Sequence, residues 1–465
     1  MGDKRITRRR LLETGAASVL AAHGLGSSAP VFASSAPVLP GTSMRKLVSL
    51  GGSRVNSAPG TPNDYRNLRN RRDVFDTGTK WVKIWVSMYE CFVVPGAPLS
   101  GQGHAFRPPG MREAWDRLAE GTPPSAATGG YEWGLGNIDQ QIRAANEDGV
   151  GVVLCLDWRH PLWACHPPEA PVFTQGDPEQ AIGPHGEKAN WRFPDDLGPD
   201  SPWAWFLSHL LARYLPETAP NPAGPRVGPR ESLSTGNAYG AYVDSVEICN
   251  EPNLFPWPQG EGGVDAIAAT VQMFKTAEEL ARPFGTSLLG PATADLPTHA
   301  RTASTDYAAF TRGVASGLRG WSPRVPVSWS HHNYTDTRLG STERYATVCD
   351  ILQQEGWHDQ RAKIWLTEGG LDLGPSTPAV SPLEADQARL MATAWEKLQA
   401  LSDRHEAAGT IGQAYAFGQH TLEDLPFRES GFSLRRPAGP LGDGEGAPRP
   451  AYEVWRGLPG NLTVR

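Results

Sequence analysis

Short apolar runs rich in β-branched residues recur along this chain with helical patterns between them, and that alternation is the strongest constraint on its fold. Strands are predicted at 46–50 (KLVSL), 81–87 (WVKIWVS), 151–156 (GVVLCL), 242–249 (YVDSVEIC), 287–290 (SLLG), 325–330 (VPVSWS), 363–367 (KIWLT) and 410–417 (TIGQAYAF). Helices are predicted at 136–148, 204–215, 267–281, 305–316, 343–356 and 382–407. Strands that are apolar almost throughout are buried on both faces, so these require a parallel sheet covered by helices. Eight such units closing on themselves make an α/β fold of the (β/α)8 barrel type. An open doubly wound sheet is the competing architecture, but no GxGxxG motif sits at a first strand–helix turn. The first unit is the least regular, because 53–79 is polar and rich in Gly, Asn and Arg.

Local signals agree with this register. Ser381-Pro382-Leu383-Glu384 reads as a capping box with Pro at the first helical position, and Ser201-Pro202 repeats the cap-plus-Pro start. Two insertions, 88–135 and 157–200, follow the second and third strands and are dense in Pro, Gly and aromatics. In a barrel, loops that follow strands lie on the face where sites are built.

The first 33 residues read as an address rather than as fold. A basic head (KRITRRR, 4–10) precedes a short, weakly apolar stretch and the small-residue exit Val31-Phe32-Ala33. Thr7-Arg8-Arg9-Arg10-Leu11-Leu12 resembles a twin-arginine export signal, which implies a translocase partner, cleavage after Ala33 and a destination outside the cytoplasm. Residues 34–43 read as a linker, which leaves 44–465 for the barrel. Cys91, Cys155, Cys165, Cys249 and Cys349 are odd in number and form no CxxC pair, so neither a disulfide scaffold nor a zinc ribbon is expected. With 43 basic against 50 acidic residues the net charge is −7, which argues against nucleic-acid binding. No apolar run is long enough for a membrane span.

Two glutamates fall at predicted strand ends. YVDSVEIC runs into Asn250-Glu251-Pro252, where Pro stops the strand and leaves Asn250 and Glu251 at its rim. KIWLT runs into Glu368-Gly369-Gly370. A barrel turns both rims toward one central site, where one carboxyl kept protonated and another kept ionised can divide acid and nucleophile roles. Glu247, two positions below Cys249, shares the side of Glu251 at greater depth and is expected to be a buried structural partner of Lys83.

VEICNEPNL, IWLTEGG, VSWSHHNYTD and the C-terminal ending through Arg449-Pro450-Ala451-Tyr452 occur in the order in which clan A glycoside hydrolases carry similar motifs. The chain resembles that clan over about 44–460, families 5 and 39 most nearly. The resemblance implies a retaining glycosidase without a cofactor or metal, acting on an oligo- or polysaccharide or a glycoside. It implies Glu251 as acid/base, Glu368 as nucleophile and Asn250 as donor to the sugar's 2-hydroxyl. Tyr334 would hold Glu368 by a hydrogen bond and His332 would line the site. Three departures stand out: Lys83 where relatives often carry Arg, Gly369 where an aromatic is common, and Phe417 or His420 where a Trp platform is usual.

Sixteen tryptophans suit sugar stacking. Trp158, Trp163 and Trp257, with Trp191, are loop candidates for substrate contact, and Arg159 or His160 reaches the site from the third strand. Trp81, Trp85, Trp365, Trp395 and Trp455 are read as core. Two other functions fit a barrel: a non-catalytic carbohydrate-binding protein and a metal-dependent hydrolase. The second wants histidines on strand one, which has none, and alternation allows only one of His331 and His332 to face the site.

Overall fold

The computed structural model describes residues 44–50, 64–88, 92–93, 132–133, 135–157, 197–199, 201–214, 241–254, 265–295, 305–357, 363–373, 382–423, 432–436 and 446–459. The stretches expected to be an export signal and a linker, with Trp158, Arg159, His160, Trp163, Trp191, Trp257, Cys91 and Cys165, lie outside the described residues.

In chain order the elements are β1 (Arg45–Ser49), α1 (Leu68–Asp76), β2 (Trp81–Val86), β3 (Phe92–Val93), β4 (Glu132–Trp133), α2 (Gly136–Glu147) and β5 (Gly151–Leu156). There follow α3 (Pro202–Tyr214), β6 (Ser245–Glu247), α4 (Ala266–Ala281), β7 (Ser287–Ala294), α5 (Tyr307–Gly317) and β8 (Val327–His332). The chain continues through α6 (Tyr334–Leu339), α7 (Glu343–Gln354), β9 (Ile364–Glu368), α8 (Pro382–Ala408), β10 (Ala414–His420) and α9 (Pro450–Gly457). Eight strands close in the order β1-β10-β9-β8-β7-β6-β5-β2. Every neighbouring pair is parallel. The fold is the expected (β/α)8 barrel. The small antiparallel pair β3–β4 lies within the first insertion.

The predicted helices recur within two residues at each end, and α1, α6 and α9 are additional. Helix α1 hides its signal in polar sequence: Asn67 caps it by accepting from Arg69 N, while Asn70, Asp73 and Val74 face inward. Ser201 Oγ accepts from Ala204 N at 3.1 Å, which is the expected cap of α3. The capping-box partner Ser381 lies outside the described residues; the Glu384 carboxylate accepts from Arg436 Nε at 2.9 Å and Nη2 at 2.6 Å. No helix among the described residues is long and apolar enough to cross a membrane.

The barrel interior is layered. At its floor the rings of Trp81, Trp365 and Tyr415 meet at centroid distances of 4.8–5.3 Å, with Leu47, Val153 and Leu289 beside them. Above that apolar plug lie polar side chains with no exposure: Lys83, Glu247, Thr367 and Glu368. The five tryptophans read as core are all buried, and Cys155, Cys249 and Cys349 are buried free thiols.

Candidate active site

Local irregularities at the strand ends aim the polar side chains. Glu251 has φ 44°, left-handed backbone that a non-glycine residue rarely adopts. That twist lets Glu251 and its neighbour Asn250 serve one cavity where strict alternation would separate them. The turn is pinned to β7: Glu251 N donates to Ala292 O at 3.1 Å. Asn253 exchanges hydrogen bonds with the Ala294 main chain at 2.9 and 3.0 Å. On β9 the register with β8 passes from His331↔Leu366 to His332↔Glu368, so one step on β8 faces two on β9. This bulge allows Thr367 and Glu368, adjacent in sequence, both to point inward.

Glu368 is held on both oxygens. Lys83 Nζ lies 2.8 Å from Oε1, and Tyr334 Oη donates to Oε2 at 2.6 Å. His420 Nδ1 stands 3.3 Å from Oε2 and His332 Nδ1 3.7 Å. Tyr334 is the first residue of α6, and the buried Asp295 fixes that helix start by accepting from Thr335 N at 2.9 Å and Asp336 N at 3.2 Å. Asp295 stands immediately after β7 and escaped the sequence reading, which ended that strand at 290. Burial pushes its carboxyl up to about 7, against the lowering effect of the Thr335 N–H.

Lys83 also ties the site together. Its Nζ is 2.7 Å from Glu247 Oε2, 3.0 Å from Asn250 Oδ1 and 3.2 Å from His332 Nε2. The contact with Glu247 meets the sequence expectation. An ammonium only donates, so His332 Nε2 accepts and Nδ1 carries the proton, which it gives to Glu251 Oε1 at 2.8 Å. Burial first, with the nearby ammonium, drives His332 well below its ordinary pKa, so the ring is neutral, as this tautomer requires. His331 points the other way, its ring 6.0 Å from that of Tyr307 on α5.

The two glutamates are pushed in opposite directions. Burial, then the charge of Glu368, raises Glu251 well above the carboxylic range. Burial would raise Glu368 too, but the Lys83 charge first, with the hydrogen bond from His420, overrides it and holds that carboxyl far below its usual range. Among the described residues Glu251 Oε2 and Asn250 Nδ2 are buried polar atoms without a hydrogen-bond partner, one oxygen and one donor left for something else. Both carboxyl groups and His332 offer atoms within 4.8 Å of one another. That triad has metal-ligand chemistry, but the Lys83 ammonium already supplies a cation to Glu368 and His332, and a second one there would be repelled.

Of the expected site residues, the structure brings together Asn250, Glu251, His332, Tyr334 and Glu368. Phe417 is corrected: it turns outward against Trp395 of α8 at 5.5 Å and Trp455 of α9 at 5.9 Å. The predicted strand stopped at 417, whereas β10 runs to His420 and its register against β9 shifts between Ala414 and Ala416. A one-residue shift exchanges the faces, so His420 faces Glu368 and Phe417 joins the helix layer. Gly369 has its own reason: a Cβ there would meet Asn333 Oδ1 at 2.5 Å and Gly418 O at 3.0 Å, which leaves no room for an aromatic.

Neither a scan against protein-family models nor a search of curated proteins found a match. Solved structures with a similar fold include the GH1 beta-glucosidase from Exiguobacterium antarcticum B7, at 13% identity and TM-score 0.43 over 85% of this chain and 86% of that one. SrfJ from Salmonella typhimurium aligns at 8% identity and TM-score 0.43 over 93% and 83%. A GH128 (subgroup I) endo-beta-1,3-glucanase from Amycolatopsis mediterranei, in complex with laminaritriose, aligns at 17% identity and TM-score 0.27 over 49% and 75%. The strand order, not these distant likenesses, establishes the barrel.

Proposed function

We propose that this barrel is a retaining glycoside hydrolase, with Glu251 as acid/base and Glu368 as nucleophile. One observation carries the reading: oxygens of two fully buried glutamates lie within 4.8 Å of each other, one carboxyl pushed toward its acid form and the other toward its anion. Retaining enzymes hold their carboxyl groups about 5–5.5 Å apart, whereas inverting ones leave roughly 6.5–9.5 Å for a water molecule. Glu251 would protonate the leaving oxygen through Oε2, since Oε1 accepts from His332. Glu368 would attack the anomeric carbon, its geometry fixed by Lys83 and Tyr334. The unpartnered Asn250 Nδ2 would donate to the neighbouring sugar hydroxyl, where a bond that tightens in the transition state lowers the barrier.

The substrate class is an oligo- or polysaccharide or a simpler glycoside, bound in part by the loop residues Trp158, Arg159, His160, Trp163 and Trp257. Residues 1–33 would direct export through the twin-arginine translocase. Replacing Arg8, Arg9 and Arg10 with Lys should then retain the protein in the cytoplasm, and unchanged export would refute it. The hydrolase reading is tested by turnover of a panel of aryl glycosides and polysaccharides. Hydrolysis lost in both Glu251→Gln and Glu368→Gln supports it, whereas sugar binding without turnover by the wild type would make the barrel a carbohydrate-binding protein.

A further inference from the structure

Glu247 is a buried carboxylate that the proposed reaction does not use. Its Oε1 accepts from Thr367 Oγ1 at 2.8 Å and its Oε2 lies 2.7 Å from Lys83 Nζ. Lys83 thus stands between two carboxylates, Glu247 below and Glu368 above, with all three side chains at zero exposure. It has three N–H bonds for four acceptors, the others being Asn250 and His332. A structural anchor for the lysine stem would need no second charge.

The negative charge moves from Glu368 to Glu251 during the proposed reaction, out of direct contact with Lys83, and this inference rests on that reading. Glu368 forms a bond to the anomeric carbon while the glycosidic C–O bond breaks. The electron pair leaves with the aglycone oxygen, which takes the proton from Glu251. Glu368 passes from anion to neutral ester, so Lys83 loses one of its two counter-ions. A buried ammonium stripped of its partner is strongly disfavoured.

We propose that Glu247 is the standing counter-ion of Lys83, a positioning residue that keeps the ammonium paired and in place while Glu368 is esterified. It also divides the attention of Lys83. With two carboxylates on one ammonium, Glu368 gives up less when it attacks. Burial would lower the lysine, but the Cys155 sulfur and then the two carboxylates hold it above its ordinary range, consistent with a cation that persists.

The test is covalent trapping of the full chain with a fluorinated sugar carrying an activated leaving group, followed as mass addition to intact protein. Glu247→Gln should label more slowly by roughly 10²-fold, the scale set by unpairing a buried charge. Its affinity for a neutral competing sugar should be unchanged, which a collapsed site would not allow. Glu247→Asp keeps the charge and should recover most of the labelling rate. Labelling of Glu247→Gln at the wild-type rate would overturn the inference while leaving the glycosidase reading intact. Absence of labelling in the wild type with every sugar tried would overturn both. A measurement on the wild type covers the case in which Glu247→Gln fails to fold. Nitrogen NMR of isotope-labelled lysine should find Lys83 still an ammonium in the trapped enzyme, and its deprotonation on trapping would contradict the proposal.

Discussion

At the scale of single residues, the site works by giving two identical side chains opposite characters. Both glutamates are fully buried, yet only Glu368 receives an ammonium and a phenol O–H, while Glu251 receives one N–H from a neutral imidazole. The pH dependence of kcat/KM follows. The proposed reaction needs Glu368 ionised and Glu251 protonated, so the acid limb should lie below the ordinary carboxyl range and the alkaline limb well above it. Lys83→Met should move the acid limb upward, because the lowering influence on Glu368 is removed. A profile whose two limbs both sit near pH 4–5, the range of unperturbed carboxyls, would contradict this assignment.

What the sequence disclosed at this scale was residue type and strand end. Asn250-Glu251-Pro252 and Thr367-Glu368-Gly369 could be placed on a rim because Pro and Gly close their strands. The tautomer of His332 could not be read, since it depends on Lys83, which stands 249 positions away in the chain. Asp295 gave no motif at all; it matters only because the fold sets it against the start of α6.

At the scale of elements, the site depends on places where the strand period fails. The register shifts in β8–β9 and β9–β10 each turn a residue to a face that alternation would deny it. Apolar runs gave the eight strands because burial on two faces leaves a compositional mark. A bulge leaves none, so the sequence offers Phe417 as an alternative to His420 at a rim that His420 alone of the two reaches. Close packing between β9 and β10 offers a direct check. A Cβ on Gly418 would meet Leu366 O at 2.5 Å and the Thr367 carbonyl carbon at 2.6 Å, both of them backbone atoms that cannot swing aside. Gly418→Ala should therefore destabilise the protein by about 2 kcal/mol or more, as overpacking does, and displace His420 from Glu368. Thermal melting with activity would show it; an unchanged midpoint would mean that the two strands are less tightly packed than described.

At the scale of the whole molecule, the barrel closes by pairing its first strand with its last, and a clasp of side chains reinforces that closure. Asp73 of α1 receives Arg435 Nε and Nη2 at 2.6 Å each, and Tyr452 Oη of α9 at 2.9 Å. These contacts join segments more than 360 residues apart and hold β1 beside β10. The pair is largely buried, with 12% and 3% of the two side chains exposed. Asp73→Ala strands a buried guanidinium and should cost about 3–5 kcal/mol. Glu453→Ala breaks the exposed pair with Arg456 and should leave the melting temperature nearly unchanged. Equal effects of the two substitutions would remove the clasp from the account.

The central claim is the division of labour between Glu251 and Glu368, and azide rescue with product stereochemistry tests it most directly. With an activated aryl glycoside, Glu251→Ala should still form the glycosyl-enzyme, because such a leaving group needs no proton. Hydrolysis then stalls without a base, a loss of about 10²–10⁴-fold. Azide needs no base and should restore turnover, giving a glycosyl azide of retained configuration. Glu368→Ala has no nucleophile, so azide in the vacated space should attack directly and give the inverted azide. Retained product from Glu368→Ala with inverted product from Glu251→Ala would reverse the roles. Hydrolysis within tenfold of wild type in both variants would contradict the claim that these two carboxyls perform the chemistry.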